Sequence, residues 1–134
     1  MGSRLLIVLD THVLVWWLNE PKRLSKSAAR VIRSSRRIGV PAICTWEFSL
    51  LVAKGRLVVD RPALEWLQAA LAEARVELLP LTPAIAVQST RLGASFHGDL
   101  ADALIVATAQ LEAAPLVTKD RKILDYDGVE AIWD

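Results

Sequence analysis

The sequence predicts an α/β fold in which a central parallel sheet is flanked by helices on both faces. One observation is the run of five apolar residues from Leu5 to Leu9, which is typical of a strand buried on both faces. Another is that further short apolar runs alternate with helical patterns through short links. Because 134 residues suit a single core, we expect residues 1–134 to form one domain.

Capping and breaking residues set the predicted bounds of the elements. Ser25 can cap the first turn of a helix, and Gly55 ends a later helix in the usual C-terminal position. Gly39 and Pro41 interrupt the second strand, which we therefore expect near an edge of the sheet. The predicted helices cover residues 11–19, 25–36, 44–54, 63–74, 82–92, 99–113 and a single turn at 120–124. The predicted strands cover residues 5–9, 38–43, 76–81, 115–118 and 129–133.

The composition excludes several classes of protein. Cys44 is the only cysteine, which excludes an internal disulfide and a cysteine zinc cluster and fits a reducing compartment. No apolar run reaches the roughly 18 residues of a membrane span, so we expect a cytoplasmic protein without a membrane partner. The net charge is only +1, but basic and acidic residues are unevenly distributed along the chain. The stretch between Glu20 and Glu47 contains seven basic residues and no acid.

Two aspartates follow short apolar strands. Asp10 comes directly after the first strand, and Asp120 comes soon after the fourth. Ligands of parallel α/β sheets gather at the carboxyl ends of the strands, so an acid at this position suggests a functional site. The alternative for Asp120 is a purely structural role, as the cap of a short helix.

Three more acids lie on predicted helices. Glu47 projects from an apolar face, where an ionised carboxylate is costly unless a cation or several donors meet it, although it could also reach solvent or an arginine. Asp99 suits a helix cap and Asp102 the first turn of that helix. The apolar residues that follow Asp102 suggest that its carboxylate is drawn into the interior.

Four of these acids, Asp10, Glu47, Asp102 and Asp120, can converge on one edge of the sheet. Converging carboxylates repel one another, and a hard divalent cation held by oxygen ligands relieves the repulsion. A site built only from carboxylates suits Mg²⁺ or Mn²⁺ rather than zinc.

With these residues in view, the sequence resembles a PIN-domain ribonuclease, specifically a VapC-type toxin of a bacterial or archaeal toxin–antitoxin pair. The resemblance covers nearly the whole chain, and its four motifs occur in order at matching spacings. They are Leu9-Asp10-Thr11-His12 with Trp16-Trp17-Leu18, Trp46-Glu47 with Lys54-Gly55-Arg56-Leu57, His97-Gly98-Asp99-Leu100-Ala101-Asp102 with Ile105-Val106-Ala107-Thr108-Ala109, and Leu116-Val117-Thr118-Lys119-Asp120-Arg121. Leu100, Ala103 and Cys44 depart from residues that are frequent in relatives, but every acid is in place.

The resemblance implies an endoribonuclease that cuts an RNA phosphodiester with a water activated by one or two Mg²⁺ or Mn²⁺ ions. Such chemistry needs no side-chain nucleophile, so we expect His12 and Cys44 to have structural roles. It also implies neutralisation by a cognate VapB-like antitoxin, and a homodimer. The implied metal-binding and catalytic acids are Asp10, Glu47, Asp102 and Asp120, with Asp99 as an accessory acid and Thr11 and Thr118 as polar supports.

Two surfaces outside the acids invite predictions. The basic tract from Lys22 to Arg37, which includes Arg30, Arg33 and Arg36, could guide RNA to the acids, or it could form an ordinary solvated helix face. Trp16 and Trp17 could line a groove that accepts an apolar helix of the antitoxin. The alternative for both tryptophans is the core or a dimer interface.

Three other functions compete with this interpretation. A phospho-acceptor receiver domain has an acidic Mg²⁺ pocket, but it normally needs adjacent acids after the first strand, where Asp10 is followed by Thr11. A phosphatase of the haloacid dehalogenase type would need Asp where His12 stands. A PIN fold kept only for binding is disfavoured because all four acids are present.

Overall fold

The computed structural model describes residues 4–134, so residues 1–3 of the predicted domain lie outside the described part. Within that part the helical segments are α1 (Thr11–Asn19), a 3₁₀ turn (Pro21–Arg23), α2 (Lys26–Ser34), α3 (Ala42–Ala53), α4 (Ala63–Leu71), α5 (Pro83–Ser89), α6 (Leu100–Leu111) and α7 (Arg121–Leu124). The strands are β1 (Leu6–Leu9), β2 (Arg37–Pro41), β3 (Val76–Leu79), β4 (Leu116–Val117) and β5 (Ala131–Ile132).

The strands form one parallel sheet in the order β3-β2-β1-β4-β5. The chain adds strands on one side of β1 and then crosses to the other side, where β4 pairs with it in the register Val8 to Leu116. The strand order therefore reverses at β1, and ligands of such sheets bind outside the carboxyl ends of the strands at this point. Asp10 directly follows β1 and therefore lies at this expected binding position.

The centre of the sheet is covered on both faces. Ile7, Val8 and Leu9 are fully buried although successive side chains of a strand point to opposite faces. Helices that pack on each face provide this cover, and they confirm the predicted fold class. No helix within residues 4–134 is long and apolar enough to cross a membrane.

The predicted position of the second strand is wrong. β2 lies inside the sheet, between β1 and β3, and not near an edge. Gly39 is needed there for packing, because a Cβ at this position would lie 2.6 Å from Cδ1 of Leu79. Pro41 is the last residue of β2, so its missing N–H interrupts no further pairing.

Several helices are shorter than predicted because their caps are not part of the helix. Ser25 accepts a hydrogen bond from the Ala28 N–H at 3.0 Å and caps α2, which begins at the next residue. At the other end, the Arg75 guanidinium donates to the carbonyls of Ile32 and Ser35 at 2.8 and 2.7 Å. These bonds satisfy carbonyls that the end of α2 leaves free, and the helix stops at Ser34.

Candidate metal centre

Asp10 lies where β1 ends and α1 begins, and both of its carboxylate oxygens accept hydrogen bonds. The Thr11 N–H donates to Oδ1 at 2.7 Å, and the Thr118 hydroxyl donates to Oδ2 at 2.6 Å. The residue is only 9% exposed. Burial raises the pKa of the Asp10 carboxyl, and the nearby Asp120 raises it further.

Glu47 reaches the same place from α3, which begins directly after β2. The Thr11 hydroxyl donates to Glu47 Oε1 at 2.6 Å, so Thr11 contacts Asp10 through its backbone and Glu47 through its side chain. Partial burial raises the pKa of Glu47, and repulsion from Asp10 and Asp99 adds to the effect. Glu47 is thus half-buried among acids: it reaches solvent in part, as one form of the alternative holds, but within residues 4–134 it forms no ion pair with an arginine.

Asp99 and Asp102 form a capping box at the start of α6. The Asp102 N–H donates to Asp99 Oδ1 at 2.9 Å, and the Asp99 N–H donates to Asp102 Oδ2 at 3.1 Å. Asp99 is exposed, whereas Asp102 is 8% exposed. Burial, followed by repulsion from Asp99, Asp120 and Asp10, raises the pKa of Asp102 to about 7.

Asp120 caps α7 after β4, accepting a hydrogen bond from the Lys122 N–H at 2.9 Å. Its own N–H donates to the Thr118 hydroxyl at 3.0 Å, while that hydroxyl donates to Asp10. Thr118 thus joins two acids from neighbouring strands. The capping role that was the alternative for Asp120 is real, but it does not remove the residue from the cluster.

One open cavity of about 550 Å³ joins these side chains. Its lining includes all five predicted acids, Asp10, Glu47, Asp99, Asp102 and Asp120. Asp10 and Asp120 follow strands, Asp99 and Asp102 lie at the start of α6, and Glu47 lies in the second turn of α3. The parallel topology brings these positions to one edge of the sheet.

The donor set suits a hard divalent cation. It consists of carboxylates whose pKa values are raised by burial and mutual repulsion, and a bound cation would offset both costs. In residues 4–134 no three Asp, Glu, His or Cys side chains already form a closed set of ligands. The carboxylates instead accept from hydroxyl and backbone donors, so a cation would have to draw them closer together.

The two predicted surfaces lie differently with respect to the cavity. Trp16 lines it, whereas Trp17 packs against the main core. Arg30, Arg33 and Arg36 are exposed and lie outside its lining. Arg36 precedes β2 and is therefore at the amino-terminal edge of the sheet, opposite the acids. The role of the three arginines in RNA binding stays a prediction.

The cavity is also lined by basic residues. Arg23 belongs to the tract from Lys22 to Arg37 that was predicted to guide RNA, whereas Lys119 and Lys122 were given no separate functional role and His12, which is exposed, was expected to be structural. His12 lowers the pKa of Asp10 and of Glu47 through its charge. Their positions in the sequence contained a signal, because His12, Lys119 and Lys122 lie within two residues of a predicted metal-binding acid.

Cys44 has the structural role expected of it. The residue is fully buried and its thiol donates to the Leu9 carbonyl at 3.7 Å. Burial raises the pKa of the thiol well above its ordinary value, which keeps it protonated and unreactive.

Comparisons with known proteins agree with the fold. A family model described as the PIN domain matches residues 7–129. Ribonuclease VapC22 of Mycobacterium tuberculosis is 42% identical over 120 residues, which are 90% of this chain and 91% of that protein. The structure of VapBC2 from Rickettsia felis bound to a promoter DNA fragment has a TM-score of 0.71 at 19% identity, covering 97% of this chain and 100% of that one.

DNA-bound VapBC from Salmonella typhimurium has a TM-score of 0.69 at 18% identity, covering 96% of this chain and 97% of that one. At such identities the structural likeness shows the fold alone. The family model and the Mycobacterium tuberculosis relative, by contrast, each extend over most of the sequence. The chain therefore belongs to the PIN-domain family and, within it, is of the VapC type.

Proposed function

We propose that this chain is an endoribonuclease toxin that hydrolyses RNA phosphodiester bonds with the help of Mg²⁺ or Mn²⁺. The observation that supports it most is the convergence of five acids on one cavity at the switch point of the sheet. The 42% identical relative is named a ribonuclease. Membership of the PIN-domain family removes the receiver-domain and phosphatase alternatives.

In this proposal, Asp10, Glu47, Asp102 and Asp120 hold the cation, and Asp99 assists from the rim. Thr11 and Thr118 keep Asp10 and its neighbours oriented through the hydrogen bonds described above. When bound, the metal supplies an activated water and offsets charge on the phosphoryl oxygens. No side-chain nucleophile is required.

The cationic residues of the cavity give the substrate a way to approach the acids, which alone would repel a phosphate. Arg23, Lys119 and Lys122 lie at the cavity itself. Arg30 and Arg33 on α2, and Arg36 beyond its end, lie farther from the acids and contact more distant phosphates.

We further propose that a VapB-like antitoxin silences the chain. A solved neighbour of 18% identity is described as a toxin–antitoxin complex from Klebsiella pneumoniae, which concerns that protein and suggests the kind of partner. Of the two tryptophans predicted to line a groove for the antitoxin, Trp16 lines the cavity that contains the acids. A basic side chain of the partner could therefore reach the carboxylates while apolar side chains cover the indole.

Three remaining features belong to the same proposal. The chain acts in the cytoplasm, forms a homodimer, and folds as one domain over residues 1–134. Size-exclusion chromatography with light scattering measures the oligomeric state directly, and a monomeric mass would contradict the dimer.

Incubation with single-stranded RNA tests the activity. We expect cleavage in Mg²⁺ or Mn²⁺ and none in EDTA, with a melting temperature that the same ions raise. Full activity in EDTA would contradict the metal requirement. Ion-dependent stabilisation without cleavage of any RNA would favour the competing function, a PIN fold kept only for binding.

A further inference from the structure

Trp16 and Trp17 are neighbours in the sequence but occupy different environments. Trp17 packs against the main core, whereas Trp16 lines the cavity that contains the acids. Trp16 is also held in position by other rings. The centroids of His12 and Trp133 lie 5.8 Å from it at interplanar angles of 45° and 57°. An indole braced in this way is ready to contact a ligand without first being ordered.

Two cations lie over the Trp16 ring. The Arg23 guanidinium carbon is 4.6 Å from the ring centroid and the Lys119 ammonium nitrogen is 5.8 Å from it. Both residues are exposed, and no carboxylate of residues 4–134 pairs with either within 4.0 Å. Exposed cation–π contacts are weak, so both cations can leave the ring for a stronger partner.

We propose that Trp16 is a stacking platform for an unpaired base beside the scissile phosphate, and that Arg23 and Lys119 move from the indole to the flanking phosphates. The inference assigns a base-contacting residue and two phosphate-contacting residues to the acidic cavity. It rests on the proposed function, since RNA is the substrate that they would position there.

The chemistry of the site fits this occupant. Proteins that bind single strands combine a cationic groove with aromatic side chains on which bases stack. A continuous duplex keeps its bases stacked on one another and presents no free face to an indole. The cavity volume of about 550 Å³ is of the size that holds small ligands, so one nucleotide can enter it.

Binding in EDTA tests the platform separately from catalysis. The probes are a fluorescein-labelled RNA of eight nucleotides and a matched ribose-phosphate chain that lacks every base. Both have the same number of phosphates, so their difference in affinity reports contacts to bases. We expect the wild-type chain to prefer the RNA, and Trp16→Leu to lose about tenfold or more of that preference, the usual effect of one stacked base.

Two variants control the experiment. Trp16→Phe keeps an aromatic face and should retain most of the preference. Trp46→Leu removes another exposed indole, outside the acidic cavity, and should retain all of it. Melting temperatures of the three variants identify any that fail to fold. If Trp16→Leu fails to fold, Trp16→Met replaces it in the same assay and should lose the same preference.

The outcomes separate this inference from the proposed function. If Trp16→Leu folds and keeps the full preference for RNA, the platform is refuted even where the wild type cleaves RNA. If Trp16→Leu loses only antitoxin binding, the indole belongs to the partner surface and the platform is again refuted. A wild-type chain that shows the preference but cleaves no RNA in Mg²⁺ or Mn²⁺ refutes the proposed function and supports the platform.

Discussion

The two edges of the sheet handle charge in opposite ways. At the amino-terminal edge, Arg37 at the start of β2 pairs with Glu77 of β3, and Arg4 before β1 pairs with Glu130 before β5. The hydrogen bond from Arg37 lowers the pKa of Glu77. At the carboxyl edge, acids face one another, and burial with mutual repulsion raises the pKa values of Asp10, Glu47 and Asp102.

The ion pairs at the amino-terminal edge stabilise the fold, whereas the acids at the carboxyl edge are suited to binding a cation. The folded state stabilises the ionised form of an acid that is paired with an arginine, so the pKa of that acid falls. The folded state destabilises the ionised form of an acid that is buried beside other acids, so the pKa of that acid rises. Carboxylates with pKa values raised in this way cluster at functional sites, so their presence in a cleft indicates such a site.

The largest effect is expected from neutralising single acids at the carboxyl edge. Asp10→Asn, Glu47→Gln, Asp102→Asn and Asp120→Asn should each lower RNA cleavage by a factor on the order of a hundred or more, because each removes a ligand charge. All four variants should remain folded, since each also relieves repulsion. Rates of RNA cleavage in Mn²⁺ and circular dichroism measure the two properties.

Glu77→Gln is the matched control for these variants, because it neutralises an acid at the opposite edge. It should cleave RNA at nearly the wild-type rate. A loss of cleavage in Glu77→Gln as large as that in Glu47→Gln would mean that the two edges do not differ in function.

The next effect concerns the two groups of cations. If a residue contacts a phosphate of single-stranded RNA, its neutralisation should reduce the slope of log affinity against log salt by about 0.7. Lys119→Gln with Lys122→Gln should flatten the slope and also slow cleavage, because both residues lie at the cavity. Arg30→Gln with Arg33→Gln and Arg36→Gln should flatten the slope alone.

Affinity for RNA measured over a range of salt concentrations distinguishes these cases. An unchanged slope in the variant that lacks Arg30, Arg33 and Arg36 would show that these arginines form a solvated surface. An unchanged slope in the lysine variant would contradict a role of the cavity cations in RNA binding.

A smaller effect is expected on stability. Burial raises the pKa of Asp102 from 3.8 in the unfolded chain to about 7 in the folded one. Between these values the folded state holds more protons, so the stabilisation is complete below pH 3.8 and is lost as the pH rises to about 7. Asp102→Asn should therefore be more stable than the wild type at pH 8, by about 1–2 kcal/mol after allowance for solvent in the open cavity.

Urea unfolding from pH 4 to 8 measures this difference, which should shrink toward pH 4. Saturating Mg²⁺ should also reduce it, because the ion stabilises only the wild-type carboxylate. Asp60→Asn, at an exposed acid, is the control and should show no such trend. A constant difference at all pH values would show that ionisation of Asp102 is not its cause.

Local patterns predicted much of this molecule. The apolar run into Asp10, the acid after the fourth strand and the apolar surroundings of Glu47 and Asp102 were sufficient to predict the fold class and four converging acids. Asp99 was added only by the family resemblance, and the structure places all five acids in one cavity. Residue identity is informative there, because an acid in an apolar setting is costly without a purpose.

The features that sequence reasoning missed depend on distant contacts. Gly39 suggested an edge strand, but the decisive neighbour is Leu79, forty residues later. Arg23 was one residue of a basic tract that was predicted to guide RNA, but only the fold shows that it lies over Trp16. The separate environments of Trp16 and Trp17 likewise follow from the way α1 packs, which two adjacent identical residues cannot reveal.

The smallest change in stability should come from removing an acid at the amino-terminal edge, and it should be opposite in sign to the change at the carboxyl edge. Arg4 Nη2 lies 2.9 Å from Glu130 Oε2, with side chains that are 44% and 56% exposed. Glu130→Gln should lower stability by less than about 1 kcal/mol, because solvent and salt screen an exposed pair. Urea unfolding at pH 8 in low and high salt measures this loss, which high salt should abolish. Asp102→Asn should shift stability the other way under the same conditions. If both variants are stabilised, acids at the two edges experience the same electrostatic environment and the contrast between them fails.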